Sequence, residues 1–154
     1  MSEMLTMDDA LALVEKIASG GHDKIVAGET ITLSEAATDG DYVAQGDMNI
    51  VVVPDKVPKG YKKLDKPIQR LVPGDDNTVG SKHCLASTDG VEMYVPSTWD
   101  ETSLDGPFLR LANGATITHP VHGDVVVPNC HTSIQIEYQR EWDAEQARER
   151  RARD

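Results

Sequence analysis

The chain has 154 residues, a formal net charge of −11, and an aromatic share of 5% that includes a single phenylalanine. A chain of that length makes one domain that buries roughly 70% of its unfolded surface, with a core resting on Val, Ile, Leu and Met, which favours β-branched packing. The acidic balance argues against a nucleic-acid partner, because phosphate binding runs on Lys and Arg, and no apolar run approaches the ~20 residues of a membrane span.

The first segment, residues 1–22, reads as a helical unit. In "LTMDDALALVEKIASGG" Thr6 suits the cap, Asp8 and Asp9 suit the positive end of the dipole, and Gly20 and Gly21 suit termination. Met7, Ala10, Leu11, Val14, Ile17 and Ala18 fall on one stripe at helical spacing, so this helix needs a surface to pack on. The stretch opens acidic and is too interrupted by charge for a secretory signal, so the protein is expected to be made in the cytosol.

Residues 23–140 form the predicted β-rich domain. Short apolar runs, "KIVAG", "TITL", "MNIVVV", "IQRLV", "VEMYV", "FLRL", "ATIT", "DVVVP" and "SIQIEY", are separated by Gly, Pro, Asp and Asn with no helical periodicity between them. That texture predicts a mainly β fold, an antiparallel β-sandwich or barrel, with the N-terminal amphipathic helix before it and a C-terminal charged helix after it. "VPDKVPKGYKKLDKP" reads as a long exposed connection. Residues 141–154, with acids leading and arginines following, suit a solvated helix that complements its own dipole. Trp142, Arg148, Arg150, Arg151 and Arg153 are its candidate partner-binding residues, an apolar anchor beside bidentate donors for carboxylates.

Strand parity organises the chemistry-bearing residues. Ile134, Ile136 and Tyr138 share one face of the last strand, with Cys130 on the same parity, while His131, Ser133, Gln135 and Glu137 take the outward face. Cys84 and Cys130 are expected to be reduced core thiols. His83 and His119 have inward parity, and "HPVHGD" is the expected turn between "ATIT" and "DVVV" because Pro120 and Gly123 suit turns. Such a turn brings His119 and His122 together. His83, His119 and His122 are therefore the candidate metal ligands, the number of protein ligands common in catalytic zinc sites, with Asp124 in support. The competing reading is that these histidines are held by hydrogen bonds and that no metal is tightly bound.

Other motifs fail on spacing. "GDDNTVGSK" has one residue too many between Gly74 and Gly80 and places Ser81 before Lys82, so it is not a phosphate-binding loop. It also lacks the closing glutamate of a calcium loop. No G-x-S-x-G elbow is present.

The stretches "YVAQGDMNIVVVPDKVPKGYKKL", "VGSKHCLA" and "ATITHPVHGDVVVPNCHTSIQIEYQREW" with the Arg-Asp end resemble a group of small, functionally uncharacterised proteins from bacterial and phage genomes. That group carries a Q-G-D strand start, a G-H-x-H segment, an H-x-x-H segment and a Q-R-E followed by an aromatic, in this order. The resemblance covers residues 42–154 and implies a β-rich fold and a phage origin. Gly80, Ser81, Lys82 and His83 stand where the group has G-H-x-H, so one histidine position is filled by serine or lysine.

The leading expectation is a non-enzymatic β-rich structural or binding protein, a phage virion component such as a capsid decoration or minor structural protein. It would work through contacts with itself or a shell protein, as part of an oligomer or assembly, and without a cofactor. The alternative is a cupin-like small barrel enzyme using zinc or iron on His83, His119 and His122. A third reading is an acidic regulator that binds a host protein.

Overall fold

The computed structural model describes residues 29–73, 82–143 and 148–151. In chain order the strands are β1 (Ile31–Thr32), β2 (Tyr42–Gln45), β3 (Met48–Val52), β4 (Tyr61–Lys63), β5 (Cys84–Leu85), β6 (Val91–Pro96), β7 (Asp105–Leu111), β8 (Ala115–Thr118), β9 (Val125–Val127), β10 (Ser133–Tyr138), β11 (Arg140–Asp143) and β12 (Arg148–Arg151). Among the described residues there is no helix. The expected N-terminal helix lies outside them.

The strands form a six-stranded sheet in the order β2-β3-β10-β7-β6-β4, a four-stranded sheet in the order β1-β9-β8-β5, and the separate pair β11-β12. The fold is mainly β, and neither large sheet closes on itself, which corrects the barrel expectation. The four-stranded sheet ends on two strands of two residues each, β1 and β5, too short to carry a ladder around to the other sheet. Pairing is antiparallel except that β1 lies parallel to β9, Ile31 opposite Val125. β1 enters from the N-terminal side rather than through a hairpin, so its direction is not bound to that of its neighbour.

Alternation in the sequence writes the core directly. β3 and β6 alternate buried and half-buried residues along their length, as a strand with one face on a core requires. Met48, Ile50, Met93, Leu109, Ile134 and Ile136 from the six-stranded sheet share one cluster with Leu85, Ile117, Val125 and Val127 from the four-stranded sheet. Each such aliphatic side chain removed from water contributes about 1.5–3 kcal/mol before entropy is set against it.

The outer face of the six-stranded sheet departs from the parity expectation. Ile134, Ile136 and Tyr138 are buried together as expected, but Gln135, Ser133 and His131 are buried as well, and Glu137 is half-buried. For Ser133 and Gln135 the reason is the segment 53–67, which is not a free loop. It contains β4, its Asp55 meets Arg110 at 2.7 Å, and its Tyr61 hydroxyl accepts from Gln135 Nε2 at 3.1 Å. Phe108, opposite both Gln135 and Tyr94 in register, is 1% exposed on this face. Burial raises the Tyr61 phenol above its ordinary value; the Gln135 hydrogen bond opposes that rise, and Asp105 and Glu137 add to it.

Two smaller expectations also change. "IQRLV" forms an isolated bridge, Arg70 to Cys84, rather than a strand. Cys130 is exposed and Cys84 half-buried, so Cys130 is not a core thiol, and neither cysteine is in a disulfide. In the tail, Arg140 pairs with Arg151, Glu141 with Arg150, Trp142 with Glu149 and Asp143 with Arg148. The described backbone there is a strand pair, and the remainder of the expected C-terminal helix, 144–147 and 152–154, lies outside the described residues.

Candidate functional site

The histidines meet where the tip of the β2–β3 hairpin faces the β8–β9 turn. Gln45 ends β2 and pairs with Met48 across a two-residue connection, where Gly46 takes φ 60°, a value glycine adopts at little cost. The β8–β9 turn closes with the Gly123 amide donating to the His119 carbonyl at 3.1 Å. Gly123 has φ 82°, and a Cβ there would run into the backbone of Glu29. Two separate constraints thus require glycine at this turn. His83 lies just before β5, which pairs with β8, and so comes in beside His119.

The three histidines do converge. The His83 and His119 ring centroids are 4.5 Å apart, as are those of His119 and His122, both pairs tilted. His83 is 1% exposed and His119 9%, in line with their inward parity.

Hydrogen-bond direction assigns the protons. Gln45 Nε2 donates to the Ile117 carbonyl at 3.0 Å and to the Gly123 carbonyl at 2.7 Å, which leaves Gln45 Oε1 as an acceptor. His83 Nδ1 lies 2.8 Å from that oxygen and must carry a proton. Its Nε2 lies 3.0 Å from Asp47 Oδ1, and since a bare ring nitrogen and a carboxylate oxygen would repel, a proton sits between them as well. The result is an Asp47–His83 hydrogen bond screened from water, with side chains 13% and 1% exposed.

His119 is held differently. Its Nδ1 accepts from the amides of Val121 at 3.1 Å and His122 at 3.2 Å, so in the neutral ring the proton is on Nε2. A metal-ligating histidine ordinarily donates its second N–H to an acceptor, whereas here the second nitrogen faces two donors. Among the described residues, no group of three or more His, Cys, Asp or Glu side chains is arranged to hold a metal ion. Asp124, expected in support, is half-buried after the turn. His131, expected outward, is buried with Nε2 2.7 Å from the Ser34 carbonyl.

The arrangement orients two turns and joins two sheets. Gln45 and Asp47 are the members that the histidine pattern alone does not reveal. The signal was present as "QGD", noted above only as a strand start. Of the candidate tail residues, Trp142, Arg148, Arg150 and Arg151 fall on β11 and β12 and Arg153 outside the described residues. The neighbouring Arg140 anchors the start of the tail to Asp105 at 3.1 Å.

A second polar cluster lies on the outer face. Arg110 contacts Asp55, Glu92 and the Tyr94 hydroxyl, and its ring contact with Tyr94 is 5.3 Å from cation to centroid. The hydrogen bond from Tyr94, then that from Arg110, hold the Glu92 carboxyl below its ordinary value.

A family model described as a domain of unknown function (DUF8820) matches residues 44–132, a span that includes Gln45, Asp47 and all four of the histidines described above. No curated protein and no solved structure matches the chain significantly.

Proposed function

The chain belongs to the DUF8820 family, and from that premise we propose that it is a non-enzymatic β-rich structural or binding protein that works through protein–protein contacts. The observation that carries this reading is the hydrogen-bond accounting at the histidine end. His83 is engaged at both ring nitrogens, His119 caps a turn through Nδ1, and Gln45 ties the two sheets together. Side chains used this way stiffen a scaffold, and the work of such a protein is done by its surfaces. The tail supplies one, with Trp142 as an apolar anchor and Arg148, Arg150, Arg151 and Arg153 as donors to carboxylates on itself or a shell protein. The resemblance to a group of proteins from bacterial and phage genomes is the ground for taking a virion as the assembly, with the chain as a capsid decoration or minor structural protein.

One observation favours a second reading, a cupin-like metal-dependent enzyme: three imidazoles within 4.5 Å of their neighbours. Elemental analysis of the purified full chain, beside the double variant His119→Ala/His122→Ala, separates the two. The structural reading expects no zinc or iron near one equivalent in either protein. Stoichiometric metal in the parent that disappears in the variant would move the conclusion to the enzyme.

A further inference from the structure

Charge is unevenly spread along the described chain. Residues 29–52 carry five acids and no Lys or Arg, and Glu35, Asp39 and Asp41, on the segment leading into β2, are all exposed. Residues 53–67 hold five of the chain's eight lysines against two aspartates, a net +3 within a chain of −11. Lys56, Lys59, Lys62, Lys63 and Lys66 are exposed, while Asp55 is already occupied by Arg110 at 2.7 Å. Among the described residues Lys56, Lys59, Lys62 and Lys66 enter no ion pair, and Lys63 lies 3.9 Å from Glu92. The two stretches belong to opposite edges of the six-stranded sheet, β2 at one and β4, with Lys62 and Lys63, at the other.

We propose that copies of this chain dock head to tail, the lysine segment 56–66 beside β4 of one copy meeting Glu35, Asp39 and Asp41 beside β2 of the next. The inference rests on the reading of the chain as a protein that works through protein contacts, and it assigns one contact and its partner. Like charges keep two β4 edges apart, and equally two β2 edges. Unlike edges of two copies attract, so charge selects the partner and the direction together. A nucleic acid would meet the same lysines, but also the field of a chain at −11, which repels it. A contact between two different patches is heterologous: each added copy presents the same two edges again, and growth stops only where a ring closes.

The test uses the full-length chain and two variants of it. One is Lys56→Glu/Lys59→Glu/Lys62→Glu/Lys66→Glu; the other is Glu35→Lys/Asp39→Lys, which spares Asp41 because its carboxylate accepts from the Thr38 amide. Sedimentation velocity should show the parent associated in about 0.05 M salt and dissociating in about 0.5 M salt. Each variant alone should associate at least about tenfold more weakly than the parent, because several exposed pairs are lost together. Mixed in equal amounts, the two should recover association to within about threefold of the parent, since each reversed edge then meets one of opposite sign; a variant that merely misfolds is not rescued by mixing. A monomeric parent in low salt, or a mixture no better associated than its components, would overturn the proposal. Binding of an oligonucleotide of about 20 thymidines to the parent at about 0.15 M salt, lost in the lysine variant, would overturn the choice of partner. Parent assembly that survives lysine reversal but is lost on deleting residues 143–154 would also overturn it, while leaving the protein-contact reading and its tail surface standing.

Discussion

Gln45 and Gln135 are both buried glutamines, 1% and 7% exposed, yet they solve different problems. Gln45 reaches from the hairpin tip of one sheet to the Ile117 and Gly123 carbonyls of the other and receives the His83 proton on its oxygen. Gln135 stays within its own sheet. It sits where the β10–β7 register shifts, and its amide donates to the Gly106 carbonyl at 2.8 Å and the Ile136 carbonyl at 2.9 Å, groups that the irregularity draws away from regular pairing. One amide therefore joins two layers and the other repairs a ladder. A bridge between layers has no neighbour to take over its bonds, whereas the Gly106 carbonyl also accepts from the Tyr61 hydroxyl at 2.9 Å.

That difference sets the order of expected effects. Gln45→Ala strands a buried ring N–H and two buried carbonyls, and should cost about 3–6 kcal/mol of unfolding free energy at about one to two kcal/mol per orphaned group. Chemical denaturation at neutral pH reads it, and a loss under 1 kcal/mol would show that water replaces the amide. Gln135→Ala should cost about 1–2 kcal/mol by the same measurement, and a cost equal to that of Gln45→Ala would remove the distinction between the two sites.

The smallest effect is confined to alkali. Burial raises the Tyr61 phenol in the folded chain, so the neutral phenol is the form that folding favours. Its contribution is complete below the unfolded value, near 10, and disappears as pH rises through the higher folded one. The Gln45 bridge includes no phenol. Stability of the parent should therefore decline more steeply above about pH 10 than that of Tyr61→Phe, while the Gln45→Ala variant keeps the parent's alkaline slope. Thermal melts between neutral pH and alkali check both, and identical slopes in the parent and Tyr61→Phe would reject the assignment.

The sequence was most legible where a local rule decides. Alternation placed Ile134, Ile136 and Tyr138 on the core, parity turned His83 and His119 inward, and Pro120 with Gly123 marked the turn that brings His119 to His122. Wherever a distant segment decides, it misled. Gln135 has the parity of a solvated residue and is buried because Tyr61 and Asp55 come over it from another part of the chain. His83 could be seen as inward, but not as the partner of Gln45 and Asp47, 38 and 36 residues earlier. The choice between barrel and open sheets was equally hidden, because it depends on how β1 and β5 end their sheet rather than on any strand's own pattern.

The parallel pairing of β1 with β9 sets a waiting time during synthesis. Ile31 finds its ladder partner only when Val125 has been made, and the neighbouring Ser34 carbonyl finds His131 across 97 residues of chain. At ribosomal speeds this leaves the first strand unpaired for about 5–20 s, while the β2–β3 hairpin, whose strands adjoin in sequence, needs only microseconds once exposed. The six-stranded sheet can therefore begin to assemble from its hairpin while the other sheet is still missing its centre. During that interval the nascent chain carries an unpaired strand that a second nascent copy can also pair with, so crowded synthesis is the condition under which this fold is most exposed to misassembly.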